Sequence, residues 1–198
     1  MNISRLVLSS MVMAAAVAAN AISFSNVTIN SSPLSNGSSF SSFGNAISFR
    51  VPNAIVGDGA ALRAGTLNIQ YDVDTEGPGA FAVGANTGVV ALGTGTVIFN
   101  ELVIGLDSNG NEVGPALGSA SFTFNSSTSQ FQSTDIQLSS PATRFRVKKS
   151  FTLVAPDSNA FDLAAVAIVN QNVQVVPEPA TMAVLGLGAA ALMRRRKK

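Results

Sequence analysis

Leu67-Asn68-Ile69-Gln70-Tyr71-Asp72-Val73-Asp74 alternates without a fault. Leu67, Ile69, Tyr71 and Val73 fall on one side of an extended chain, and Asn68, Gln70, Asp72 and Asp74 on the other. A period of two over eight residues predicts a strand with one dry face and one wet face. Antiparallel sheets commonly have this character, with one side packed on a core and one solvated.

Working outward from this strand, the same period recurs. Ile47, Phe49 and Val51 alternate up to Pro52, and Phe122 and Phe124 alternate with Ser121 and Thr123. Residues 22–29 form a first strand whose apolar set changes parity, which predicts a bulge near Asn26. Residues 31–44 are Ser-rich and predict a surface loop. Phe81-Ala82-Val83 and residues 88–92 predict two short strands divided at Asn86-Thr87-Gly88. Residues 96–106 are apolar on both faces except for Asn100 and Glu101, as in a central strand or a pair broken near Asn100. Asp107-Ser108-Asn109-Gly110-Asn111 predicts a hairpin loop around Asn-Gly. Residues 131–138 form another strand, closed by Ser139-Ser140-Pro141.

Residues 144–154 predict a long strand with Phe145, Val147, Phe151 and Leu153 on one face. Lys149 falls on that same face, so the pattern calls for a bulge at Lys148-Lys149 or a snorkelling Lys149. Residues 161–169 suit helix or strand, and the short turns around them favour strand. Residues 173–176 end the series. Nine to eleven short strands with frequent turns and little helical period predict an all-β fold, an antiparallel β-sandwich that is jelly-roll-like in its alternative form.

Two segments stand apart from this domain. Residues 1–21 have Arg5 at the front, an apolar stretch too short to span a bilayer, and Ala19-Asn20-Ala21 as a small-x-small site. They predict a secretory signal peptide cut by signal peptidase after Ala21, so that the mature chain starts at Ile22. Residues 177–198, PEPATMAVLGLGAAALMRRRKK, have three parts. Pro177-Glu178-Pro179 is an extended knuckle, because proline fixes φ and lacks an N–H. Residues 180–193 are apolar, and as a helix they reach roughly 21 Å at about 1.5 Å per residue. That is short for a hydrocarbon core of about 30 Å. Arg194, Arg195, Arg196, Lys197 and Lys198 then mark a cytoplasmic end by the positive-inside rule.

This order resembles the PEP-CTERM sorting signal, through Val176-Pro177-Glu178-Pro179-Ala180-Thr181, the apolar run and the Arg/Lys cluster. The resemblance covers about a ninth of the chain. It implies a C-terminal transmembrane sorting helix, processing by an exosortase, transient residence in the inner membrane, and delivery to the surface or extracellular matrix of a polysaccharide-producing Gram-negative bacterium.

Trimming changes the charge. Of the 12 Lys and Arg, one lies in the first 21 residues and five in the tail; of the 11 Asp and Glu, only Glu178 lies in the tail. Residues 22–176 therefore carry six cations against ten anions, a net charge of −4. A basic nucleic-acid surface is not indicated. The chain has no Cys and no His, which removes disulfides, thiolate sites, the commonest general base and the commonest transition-metal ligand.

Candidate chemistry is sparse. Asp72, Asp74 and Glu76 project from one face and suit either calcium, which wants six to eight oxygens, or a solvated sheet face. A carboxylate pair for glycoside hydrolysis needs a separation that spacing alone does not supply. Asp107, Asn109 and Asn111 match the opening of a calcium loop, but Glu112 stands where its glycine should be. A plain hairpin explains the stretch equally well. Arg144, Arg146 and Lys148 form a basic stripe, able to meet an anionic polysaccharide or simply water. The sequence thus predicts a non-catalytic exported surface or matrix protein without a cofactor. The alternatives are a carbohydrate-binding module for the producer's exopolysaccharide and, third, a secreted hydrolase.

Overall fold

The computed structural model describes residues 22–77, 79–156 and 160–176. These contain eleven strands and no helix: β1 (Ser23–Asn30), β2 (Ser39–Phe43), β3 (Ala46–Arg50), β4 (Ile55–Gly57), β5 (Ala64–Asp74), β6 (Ala80–Leu92), β7 (Thr96–Leu106), β8 (Glu112–Asn125), β9 (Phe131–Ala142), β10 (Arg144–Val154) and β11 (Leu163–Val175). The predicted signal peptide, PEP knuckle, apolar run and basic tail lie outside the described residues.

The strands form two antiparallel sheets. One has the order β1-β5-β10-β7-β8, and the other β2-β3-β11-β6-β9 with β4 added beside β11. The chain crosses repeatedly between them, and β10 and β7 of one sheet lie against β11 and β6 of the other. Most hydrogen-bonded neighbours are thus far apart in sequence.

The alternation in residues 67–74 settles the packing. Leu67, Ile69, Tyr71 and Val73 are all buried, as are Phe145, Val147, Phe151 and Leu153 beside them. Aromatic rings fill the space between the sheets: Phe99 lies 4.9 Å from Phe151 and Phe49 lies 5.4 Å from Tyr71, centroid to centroid. At about 25 cal/mol per Å² of apolar surface, such large buried side chains dominate the stability of a domain without disulfides.

Two bulges adjust which residues face inward. In β1 the register slips between Ser25 and Thr28, and Asn26 takes a positive φ of 50°. Phe24 meets Tyr71 before the bulge, and Val27 and Ile29 pack on the core after it. In β11 the slip lies between Val166 and Ile168, so the inward set passes from Ala164 and Val166 to Val169, Gln171 and Val173.

Several expectations are corrected. Lys149 neither snorkels nor sits at a bulge: β10 pairs with β5 and β7 in unbroken register, and its side chain is fully buried. Residues 80–92 form one strand, because Asn86 and Thr87 pair on both sides and make no turn. The Ser-rich segment holds β2, paired along its length with β3. Phe43 in it is 92% exposed, while the Phe40 and Phe49 ring centroids lie 6.5 Å apart. Residues 96–106 are a single strand paired on both sides, the first of the two forms expected, whereas β9 continues through Pro141 past its expected end. Residues 161–176 yield one strand, β11, where two were expected.

Candidate functional site

The outer face of the five-stranded sheet carries a groove of about 840 Å³. Strand register builds it from two complete rungs. One is Thr28, Gln70, Lys148, Leu102 and Ser119; the other is Asn30, Asn68, Ser150, Asn100 and Ser121. Each rung takes one outward residue from each of β1, β5, β10, β7 and β8. Neighbouring strands lie about 4.8 Å apart, so a rung spans about 19 Å from one sheet edge to the other. The β1 bulge makes the first positions possible, because without the parity change Thr28 and Asn30 would face the core.

The rungs are rich in amides and hydroxyls. Ser121 Oγ donates to Asn100 Oδ1 at 2.8 Å, which orients that amide. The side chains of Asn30, Asn68 and Gln70 make no hydrogen bond among the described residues. Each offers both donors and an acceptor to whatever lies in the groove. No aromatic ring lines it.

Between the two rungs runs the row Ile69, Lys149, Glu101 and Ala120, whose backbone forms the floor and whose side chains point inward. Beneath the floor, Lys149 Nζ donates to Glu101 Oε2 at 2.5 Å and sits 5.4 Å from the Phe99 ring centroid. Gln171 Nε2 donates to Glu101 Oε1 at 2.7 Å, and Tyr71 Oη donates to Gln171 Oε1 at 2.6 Å. This chain joins β10, β7 and β5 of one sheet to β11 of the other. Burial pushes the Tyr71 phenol well above its ordinary value, and the Glu101 charge adds to the rise. Burial lowers the Lys149 ammonium, with Glu101 opposing.

The acidic and basic residues picked out by sequence meet one row further along the same face. Arg146 donates to both oxygens of Asp72, at 2.6 and 2.9 Å, and Asn26 Nδ2 adds a bond at 2.8 Å. Burial raises the Asp72 carboxyl, but the Arg146 and Asn26 bonds outweigh it and hold it below the ordinary carboxylate value. Asp74 pairs with Arg144 at 3.1 Å and accepts from the Glu76 N–H. Glu112 binds both Arg146 and Lys148, at 3.1 and 2.7 Å. The basic stripe is therefore matched by carboxylates.

Asp107 closes its own turn. Its Oδ1 accepts from the N–H groups of Asn109 and Asn111, and its Oδ2 from Asn111 Nδ2. Arg144 stands between the two acidic clusters, pairing with Asp74 and donating to the Asp107 and Ser108 carbonyls, and among the described residues no group of three His, Cys, Asp or Glu side chains is placed to hold a metal ion.

Sequence reasoning marked Asn68 and Gln70 as a wet face but did not find the groove. Its other walls come from strands up to 82 positions away, as Ser150 is from Asn68, and only the register shows them as one surface.

Comparison with solved structures returns shallow overlaps. They include TmCBM61 in complex with beta-1,4-galactotriose (16% identity, TM-score 0.36, covering 77% of this chain and 87% of that one). A second is the enzymatically active domain of tailspike protein 4 of bacteriophage CBA120 (17%, 0.30, 78% and 19%). A third is a glycoside hydrolase family 43 arabinoxylan arabinofuranohydrolase from Bacillus subtilis in complex with cellotetraose (11%, 0.27, 62% and 24%). Overlaps of this depth carry no argument about this chain. A search of the curated proteins returns no match. The informative match is in the tail, and it starts at the last residue of β11: residues 175–197 fit the family model of the PEP-CTERM protein-sorting motif, so this chain carries a PEP-CTERM sorting signal.

Proposed function

We propose that the protein is an exported, non-catalytic component of the cell surface or extracellular matrix, delivered through its PEP-CTERM signal and processed by exosortase. The observation that carries this reading is the place of the signal. The match begins at Val175, where the final strand ends, so a cut in the Pro-Glu-Pro segment would free the whole sandwich without breaking a strand. The non-catalytic part is supported by the lack of His and Cys and by the pairing of Asp72, Asp74, Glu101 and Glu112 with cations. These carboxylates are committed to structure.

A second reading is that the sandwich binds the producer's exopolysaccharide. The groove with its unpartnered amides favours it. The test of the first reading is mass spectrometry of surface and released fractions. The expected species starts at Ile22 and lacks residues 182–198. A released species that keeps Arg194 to Lys198 would overturn it.

A further inference from the structure

We propose that the groove on the five-stranded sheet binds an uncharged, polyhydroxylated polymer, a neutral glycan chain laid across the strands. This rests on the exopolysaccharide-binding reading above and names the chemistry and the place.

Charge points to a neutral ligand. Lys149 and Glu101 turn their side chains into the core and pair there, and Lys148, at the groove wall, is held by Glu112. The groove therefore offers no uncompensated charge with which to hold a carboxylate or sulfate. A polyanion would lose water from its charged groups and gain no ion pair in exchange.

Hydrogen bonding points to hydroxyls. Asn30, Asn68 and Gln70 present amides that both donate and accept, and so does the Asn100 amide that Ser121 orients. A sugar hydroxyl also donates and accepts, so each contact can form in either sense as it displaces a water. An apolar ligand would leave these four amides unpaired at a cost.

Shape points to a polymer. The rungs run from edge strand β1 to edge strand β8, so a chain lying along them continues past both edges of the sheet. The floor between the rungs is fixed from below by the Lys149–Glu101 pair, which preorganises the wall residues and lowers the ordering cost of binding.

The experiment uses the full chain purified in detergent, run in native gels cast with dextran, galactan or glucomannan, and in parallel gels cast with alginate or dextran sulfate. The variants are Asn68→Ala/Gln70→Ala/Asn100→Ala in the groove, and Asn170→Ala on the other sheet. Unfolding curves confirm that both stay folded. Retardation by at least one neutral polymer is expected, with apparent affinity at least about tenfold weaker in the triple variant, the loss of some 1.4 kcal/mol, and unchanged in Asn170→Ala. If retardation survives the triple substitution, the groove is the wrong place although the protein still binds polysaccharide. If only the anionic polymers retard it, the neutral assignment is wrong. If no polymer does, the groove proposal and the exopolysaccharide reading fall together.

Discussion

Lys149 and Glu101 face each other from β10 and β7 with Nζ 2.5 Å from Oε2, and neither side chain has any exposed surface. Two charges taken out of water need good geometry and further hydrogen bonds to offset their desolvation. Gln171 and Tyr71 extend the chain of bonds from Glu101, and the Phe99 ring lies near the ammonium. Because Gln171 comes from the opposite sheet, the pair also fixes how the two sheets register. It lies directly under the groove, so stability and site geometry meet at one cross-section.

Removing one partner should therefore be costly. Lys149→Met leaves Glu101 buried without its cation and is expected to lose about 3–5 kcal/mol. Lys149→Met with Glu101→Gln removes both charges and keeps an acceptor for Gln171, so it should recover more than half of that loss. Urea unfolding of the singles and the double closes the cycle. A Lys149→Met protein as stable as the parent would contradict the buried pair.

Tyr71 is the only tyrosine and the chain has no tryptophan, so phenolate absorbance reports this one site. Its folded value is raised by burial first and by the Glu101 charge second. Above its ordinary value of 10.0 the unfolded chain releases the proton while the folded protein keeps it. This contribution is fully present below that value and is lost as pH rises beyond it. Absorbance should stay flat through pH 10 and rise only as the protein unfolds. Tyr71→Phe should cost about 1–3 kcal/mol by stranding the Gln171 acceptor, and should flatten the alkaline loss. A phenolate signal titrating near the ordinary value in folded protein would refute this.

These two residues also show what the sequence could and could not disclose. The strand at residues 67–74 was legible because period-two alternation is local, and the Asp107 hairpin because its turn chemistry is local. The parity change at Asn26 correctly signalled a bulge. Lys149 was misjudged because its partner lies 48 positions away on another strand. A charge on a core face looks like an irregularity until the counter-charge is found. Asn86 and Thr87 suggested a turn by composition, yet ladders on both sides hold them extended, so tertiary pairing overrides propensity. The groove needed the register of five strands, which no local pattern supplies.

Asp72 should govern part of the response to acid. Its folded value lies below the ordinary 3.8 because the Arg146 and Asn26 bonds outweigh the effect of burial. Such a group contributes stability above its unfolded value and loses it as pH falls through the folded one. Melting temperature should drop from about pH 4 downward. Asp72→Asn should be less stable at neutral pH and show a shallower acid drop. Parallel acid profiles for parent and variant would rule Asp72 out.

Calcium should leave the melting temperature unchanged relative to chelator. Both oxygens of Asp72 and of Asp107 are already used by protein donors, and Asp74 is paired with Arg144. A ligand that binds only the native state must raise stability by mass action. A clear rise at millimolar calcium would show that one of these clusters opens to take the ion.

The tail should determine release and not entry. Its apolar run of residues 180–193 reaches roughly 21 Å as a helix, marginal against a hydrocarbon core of about 30 Å. The five cations that follow favour keeping that end inside. Insertion is then expected to follow the run and the cations, and cutting the Pro-Glu-Pro segment within the sorting-signal match. Replacing Pro177, Glu178 and Pro179 by alanine should leave export intact and trap an uncut precursor in the inner membrane. Replacing the five cations by glutamine, with the knuckle kept, should weaken retention before the cut, and part of the chain should escape unprocessed. Membrane fractionation combined with intact mass reads both variants. If the alanine variant is processed like the parent, the Pro-Glu-Pro segment is not what the protease recognises.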